Sequence, residues 1–400
     1  MDLADHDNAI GINFDELAKS TGNARAANMV VIGALAELVA MKQDILDDFV
    51  TRKFTRGRPN DKEIIDSNIK AMSLGRTEVK QRGVSIGQLN PPQKPDHDQV
   101  LMNGNVAICL GAMHAGVDFY AGYPISPATS ILVWMEKNLP APDKFVHQVS
   151  SEIEAITALV GAGFAGKKSM TATAGPGFSL MSEGLGLAWM AEIPLVVVDV
   201  QRGGPATGLP TKTEQSDLMS TMFPAHGDIR LPVIAPGSVE ECFHGAVAAV
   251  NWAERYQGPV ILLSEMVLSE RNQNLRKPDL SKVPVENREV NQDTNGYQRY
   301  DHSDVSAMPI PGGPGSYVAN GSEHDGIGDT THLAERHVQM THRRWNKIKV
   351  LEDGDFEVDS IDSPIALVPW GGTKGPTREA YNKLVESGVD IAWVYTMFIN

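Results

Sequence analysis

Apolar positions recur along this chain at two different periods, and the switches between them mark its parts. From residue 103, helix-spaced and strand-like segments alternate. A helical run at 104–116 leads to a strand at 118–122, a turn at Tyr123–Pro127 and a helix from about 128. A strand at 144–149, a helix at 151–165, a strand at 168–173 and a Gly-Pro-Gly-led helix at 176–191 follow. The run Pro194-Leu195-Val196-Val197-Val198-Asp199-Val200 is apolar but for one aspartate, the pattern of a parallel strand buried on both faces. A strand at 229–235, a helix at 238–256 and a strand at 259–265 close the series. Such alternation predicts the α/β class, a parallel sheet covered by helices.

The flanks read differently. Residues 1–80 carry helical patterns only, with an apolar run from Asn28 to Val39 and further patterns at about 43–54 and 61–74. Residues 81–102, with the double proline Pro91-Pro92, have the composition of a linker. The alternating domain spans 103–270. Residues 271–360 lose the alternation in the turn-rich PIPGGPGSY and polar SEHDGIGD stretches, and become helical again at 331–351, as a connecting segment. Residues 361–400 begin a second α/β unit, with a strand at Pro364–Trp370, a Gly371-Gly372 turn, a helix at 376–387 and a strand at 390–398. Two strands leave most of a sheet's apolar faces bare. The expectation is a chain cut short or completed by a partner.

Composition narrows the function. No apolar run approaches the roughly 20 residues that cross a bilayer, and the acidic start lacks the regions of a secretory signal, so a cytoplasmic protein with no membrane role is expected. A net charge of −15 without a dense Lys/Arg run argues against a nucleic-acid partner. The 2 cysteines, Cys109 and Cys242, lie in helix-like apolar stretches and read as buried structural thiols. An ordinary iron–sulfur cluster takes four thiolates, so one copy of this chain cannot hold one. His332 and His337, five apart, miss the i,i+4 spacing that sets two ligands on one helix face. Gly161-Ala162-Gly163 lies inside a helix pattern and reads as close helix packing.

Four clusters fall where β-like runs meet turns or helix starts, which in open α/β sheets is where ligands bind. In Tyr123-Pro124-Ile125-Ser126-Pro127 the two prolines stiffen the bend; its Ser126 hydroxyl faces either a ligand or the following helix as an N-cap. Glu152 and Glu154 open a helix, where the dipole favours acids. Two residues apart, they point in different directions, so at most one faces the ligand crevice. Thr173-Ala174-Gly175-Pro176-Gly177 is a third turn. Arg202 follows the buried strand and precedes Gly203-Gly204-Pro205 and Thr207-Gly208-Leu209-Pro210-Thr211-Lys212. Glycines let backbone N–H groups approach an anion, and a guanidinium fork matches a carboxylate or phosphate, so Arg202 reads as an anion ligand.

Together these clusters resemble the α subunit of 2-oxoacid:ferredoxin oxidoreductases, most closely the 2-oxoglutarate type. The string Gln201-Arg202-Gly203-Gly204-Pro205 through Asp217 is the most specific part. Residues 103–268 resemble that family's thiamine-diphosphate pyrimidine-binding domain, 298–345 its following segment, 364–398 the start of its transketolase C-terminal-like domain, and 28–76 the end of a fused γ domain. The resemblance implies oxidative decarboxylation of a 2-oxoacid to an acyl-CoA, with electrons passed to ferredoxin. It assigns Glu152, with Glu154 as the fallback, to the aminopyrimidine N1′ of thiamine diphosphate, and lines the cofactor with Tyr123, Pro124 and Ile125. Ser126, standing where the family usually has threonine, would contact the substrate with Arg202 and Thr211. Thr207 and Lys212 are candidates for a second substrate carboxylate, while Ala206 replaces a serine often found there. The diphosphate site, its Mg²⁺ and the [4Fe–4S] cluster are implied on a β subunit, so the active site would lie between subunits.

Overall fold

The structure is a computed structural model that describes residues 9, 11–90, 93–301, 303–352 and 354–399. The Pro91-Pro92 part of the expected linker lies outside the described residues. The chain divides into two compact units, residues 1–96 and 97–400.

The first unit is helical: α1 (Phe14–Ser20), α2 (Ala27–Leu38), α3 (Gln43–Phe54) and α4 (Asp61–Gln81). Helices α2 and α4 meet backbone to backbone. A Cβ on Gly33 would lie 1.9 Å from the Met72 carbonyl oxygen, and one on Gly75 1.9 Å from that of Val30. Val30, Val50, Ala71 and Met72 form the centre of this core. Helix α4 runs to Gln81, beyond the expected 74, because Met72 and Val79 keep its apolar stripe buried.

The second unit begins with β1 (Gln99–Met102), α5 (Gly104–His114), β2 (Phe119–Gly122), α6 (Thr129–Asn138), β3 (Phe145–Gln148), α7 (Glu152–Phe164) and β4 (Ser169–Thr173). It continues through α8 (Gly175–Leu180), α9 (Ser182–Met190), β5 (Leu195–Gln201), α10 (Leu218–Met222), β6 (Val233–Ile234), α11 (Val239–Tyr256), β7 (Pro259–Glu265), α12 (Met266–Glu270) and β8 (Gln273–Arg276). Helix α13 (Ala334–Lys347), β9 (Glu357–Asp359), β10 (Ala366–Leu367), α14 (Lys374–Glu386), β11 (Ala392–Tyr395) and β12 (Phe398–Ile399) complete it.

The main sheet has the order β12-β6-β7-β5-β4-β2-β3, parallel except for β12. The α/β expectation holds, and β5 and β7 are buried along their whole length, as their apolar runs predict. Cys109 and Cys242 are buried free thiols; burial pushes the Cys242 thiol up to about 12 and that of Cys109 higher still.

Several elements differ from expectation. The helix expected at 176–191 divides at Met181, whose N–H closes a tight turn on the Phe178 carbonyl. The strand expected at 229–235 shrinks to β6, because the Leu231 N–H bonds the Met222 carbonyl instead of a sheet neighbour. The strand expected at Pro364–Trp370 is only β10. That expected at 390–398 breaks into β11, in a small sheet of order β10-β11-β9, and β12, which turns antiparallel onto β6. Of the glycines at 161 and 163, only Gly163 packs closely; its Cβ would lie 2.6 Å from the Pro194 carbonyl oxygen, whereas Gly161 faces open space.

Candidate active site

Parallel pairing sets Gly122, Gln148, Thr173, Gln201 and Glu265, the last residues of five strands, along one edge of the sheet. All four sequence clusters follow directly from strands β2 to β5 at that edge. At its far side the Glu265 carboxyl is buried, which raises its pKa.

Arg202, one residue past β5, is 7% exposed. Its Nη1 donates to the Ser126 carbonyl at 2.6 Å and its Nη2 to the Thr207 carbonyl at 3.0 Å. The guanidinium thus joins the Tyr123–Pro127 bend to the 203–212 loop, two segments 76 residues apart. Its Nε is buried with no hydrogen-bond partner among the described residues. Within the loop, the Gly203 N–H donates to the Lys212 carbonyl at 2.9 Å and the Leu209 N–H to the Gly203 carbonyl at 2.7 Å. Gly208, at φ +53°, must be glycine, since a Cβ would stand 1.9 Å from the Gly203 carbonyl oxygen.

Ser126 does not cap the following helix: the N-cap of α6 is Ala128, with no side-chain capping bond. Its side chain is exposed, as are those of Tyr123 and Pro124, while Ile125 packs against the core. Ser126 and Thr211 line a groove of about 670 Å³ that runs along α6 past Trp134 and Lys137 and is closed by Met266 and Glu270. Thr207 and Lys212 have exposed side chains, and Thr207 enters the network through its carbonyl alone.

The two glutamates of α7 part company. Ser151 is the N-cap, its hydroxyl accepting from the Glu154 N–H at 3.2 Å, while the Glu154 carboxylate accepts from the Ser150 N–H at 2.7 Å and its hydroxyl at 2.6 Å. The arrangement is like a capping box but takes the residue before the N-cap, and the Ser150 bonds lower the Glu154 pKa. Glu152 turns the other way and is 6% exposed. Its carboxylate faces Gly177, where a Cβ would stand 2.6 Å from Glu152 Oε1 and 2.1 Å from Thr173 Oγ1. Only glycine at 177 leaves room for this carboxylate. A second cavity, of about 640 Å³, lies between α7, α9 and α13, lined by Ile153, Leu180, Trp189 and Trp345 and not by Glu152.

Sequence reasoning missed part of the site. Asp199 on β5 is fully buried, with both carboxylate oxygens unpartnered among the described residues, and burial raises its pKa well above the usual range, with Asp217 adding to the effect. Asp217 sits against Gly175, and its N–H donates to the Gln201 side chain at 3.1 Å. The single polar position in an apolar strand was the visible signal for Asp199. Asp217 closes the specific string that begins at Gln201, but no periodicity marked it.

The fold and its loops define a mostly parallel α/β protein whose candidate site lies at the carboxyl edge of the sheet. Residues 110–343 match the family described as pyruvate flavodoxin/ferredoxin oxidoreductase, thiamine diphosphate-binding, and residues 3–78 match pyruvate ferredoxin/flavodoxin oxidoreductase. The chain is 33% identical to the 2-oxoglutarate oxidoreductase subunit KorA of Mycobacterium tuberculosis, over 96% of this chain and 60% of that one. It is 36% identical to the 2-oxoglutarate synthase subunit KorA of Methanocaldococcus jannaschii, over 73% of this chain and 80% of that one. A solved structure, the 2-oxoglutarate:ferredoxin oxidoreductase from Magnetococcus marinus with 2-oxoglutarate, coenzyme A and succinyl-CoA bound, matches with a TM-score of 0.87 and 35% identity, over 97% of this chain and 68% of that one. The chain belongs to the 2-oxoacid:ferredoxin oxidoreductase α-subunit family. It spans 60% of the length of the mycobacterial relative.

Proposed function

We propose that this chain is the α-type subunit of a 2-oxoglutarate:ferredoxin oxidoreductase, which converts 2-oxoglutarate and coenzyme A to succinyl-CoA and CO₂ and passes the electrons to ferredoxin. A partner subunit would carry the [4Fe–4S] cluster, the Mg²⁺ and the diphosphate site, and the complex would work in the cytoplasm. The observation that carries this reading is the Arg202 bridge between the Ser126 bend and the Thr207 carbonyl at the carboxyl edge of the sheet. It keeps a permanent positive charge beside an exposed hydroxyl, with the buried guanidinium Nε without a partner among the described residues.

The residues present fit thiamine diphosphate. Glu152 offers a buried carboxylate that bonds no described side chain, facing a wall that Gly177 leaves open. The bound cofactor supplies the electron sink for loss of CO₂. Glu152 would hold the pyrimidine N1′ and its proton, while Glu154 is committed to the helix cap. Arg202 would attract the substrate carboxylate, and the Ser126 and Thr211 hydroxyls would orient it from the groove they share. Thr207 and Lys212 stand at the exposed rim, where a second carboxylate would enter.

The test is coenzyme A-dependent reduction of ferredoxin or a viologen by the assembled complex, compared across 2-oxoglutarate, pyruvate, branched-chain and aryl 2-oxoacids. Preference for 2-oxoglutarate is expected. Arg202→Ala should lower kcat/KM about ten- to a hundredfold, the loss of one charged hydrogen bond of roughly 1.5–3 kcal/mol, with assembly intact. Unchanged turnover in an assembled variant removes Arg202 from the site.

A further inference from the structure

The loop that follows Arg202 stands largely in solvent. Residues 204–209, 211–214 and 216 are exposed, Leu209 to 59%. Its internal bonds close a hoop. The Gly203 N–H donates to the Lys212 carbonyl at 2.9 Å, the Lys212 N–H to the Leu209 carbonyl at 3.0 Å, and the Gly204 N–H to Glu214 Oε2 at 2.9 Å. None of these bonds ties the hoop to the sheet. Two glutamines of the same string make such ties. Gln201 Nε2 donates to the Ser264 carbonyl of β7 at 3.2 Å, and Gln201 Oε1 accepts from the Asp217 N–H at 3.1 Å, which joins the two ends of the loop to the sheet. Gln215, half-buried, reaches a residue 155 positions away: its Nε2 donates to the Trp370 carbonyl at 3.1 Å.

The Trp370–Gly372 turn, between β10 and α14, is a firm point of attachment. Gly371 lies in the left-handed region at φ +55°, and a Cβ there would stand 2.7 Å from Gln215 Nε2. A Cβ on Gly372 would overlap Glu265 Oε1 at the end of β7, and one on Gly237, just past β6, would stand 2.8 Å from the Gly371 carbonyl oxygen. Only glycine allows this backbone conformation and these approaches. The turn is therefore seated on the main sheet from one side and meets Gln215 from the other. We propose that Gln215 is a positioning residue for the substrate: through the Trp370–Gly372 turn it fixes the 203–217 loop on the sheet, and so sets the Thr207 carbonyl that holds Arg202.

A guanidinium that is already aimed loses less freedom when a carboxylate binds it. Without the Gln215 bond the loop stays joined at its ends but swings between them. The Thr207 carbonyl then leaves Arg202 Nη2 for part of the time, and the guanidinium keeps only its support from the Ser126 carbonyl. The small sheet of β9, β10 and β11 carries none of the candidate site residues, yet through this turn it takes part in substrate binding. The functional half of the proposal rests on the reading of Arg202 as the ligand of the substrate carboxylate; the mechanical half, the turn holding the loop, does not.

Hydrogen exchange of the full chain tests the mechanical half. Gln215→Ala should speed exchange of the Gly203, Gly204, Leu209 and Lys212 amides, while the amides of β5 stay protected. Gln215→Met, which fills the same space without a donor, repeats the test should the first variant fail to fold. Unchanged exchange in a folded variant overturns the proposal. In the assembled complex, the same variant should raise KM for the preferred 2-oxoacid about three- to tenfold, the loss of one hydrogen bond. KM for coenzyme A should not move, and kcat should change less than KM for the acid. A fall in kcat alone, or equal rises in both KM values, overturns the positioning role, since lost stability does not select one substrate. If Arg202→Ala leaves turnover unchanged, the functional half falls with the substrate reading, and exchange alone decides the mechanical half.

Discussion

Glu152 and Glu154 open the same helical turn and finish in different surroundings, one buried against Gly177 and the other bonded to Ser150. The 100° rotation per helical residue sends side chains two positions apart to different faces, so a single backbone gives two carboxylates two different surroundings. We predict that Glu152→Gln lowers turnover of the assembled complex by about a hundredfold or more, the scale of a lost proton-transfer group. Glu154→Gln should leave kcat and KM near their original values while lowering the melting temperature, since only the cap is lost. Equal effects of the two variants on kcat would count against the division. Arg202 carries a related lesson. In the sequence its charge reads as an anion ligand; in the structure two of its nitrogens hold backbone carbonyls, one in its own loop and one in the distant Ser126 bend, a use no spacing rule reveals.

The element least legible in the sequence is the stretch between β8 and β9, where alternation stops. The structure ties it to the α/β body through buried ion pairs. The carboxylate of Glu192, 1% exposed, accepts from Arg343 Nε at 2.8 Å and from Lys347 Nζ at 2.8 Å, and its carbonyl accepts from Arg299 Nη2 at 2.9 Å. Nearby, Arg288 bonds the buried Glu254 and the Gly163 carbonyl. Burial opposes ionisation of Glu192, but Lys347 and Arg343 overcome it and hold this carboxyl well below the usual range. Its folded pKa is therefore depressed, so its contribution to stability is complete above the ordinary glutamate pKa and is lost as pH falls through the folded value. Glu192→Gln strands buried cations and should cost about 3–5 kcal/mol in denaturant unfolding at neutral pH. Lys347→Met, which leaves Arg343 on Glu192, should cost less. The acid limb of unfolding should shift in the first variant; an unshifted limb assigns acid sensitivity elsewhere.

At the scale of the whole molecule, the small sheet of β9, β10 and β11 is fastened to α11. Lys374 bonds both Glu241 and Glu357, and the Tyr395 hydroxyl donates to Glu241 at 2.5 Å. Strand β12 then pairs with β6 at the edge of the main sheet. Among the described residues no group of His, Cys, Asp and Glu is arranged to hold a metal ion, and both thiols are buried. We predict that the chain purified alone shows no iron–sulfur absorption after reconstitution with iron and sulfide and reduces no viologen, and that both properties appear with the partner subunit. A cluster on the isolated chain would reverse the proposed division of labour.

The sequence by itself determined the α/β class, the strands β2 to β5 and β7, and the places where turns and helix starts leave the carboxyl edge of the sheet, because those features are written in local periodicity and in glycine and proline. It could not determine where β6 stops, that residues 390–398 break to serve two sheets, or how the region after β8 is held. Those outcomes turn on which distant carbonyl or carboxylate meets a given donor, as Met222 does for Leu231 and Glu192 for Lys347. The same holds for which of Glu152 and Glu154 is buried and which bonds Ser150. Periodicity says which face a residue takes; only the folded chain decides what stands opposite it.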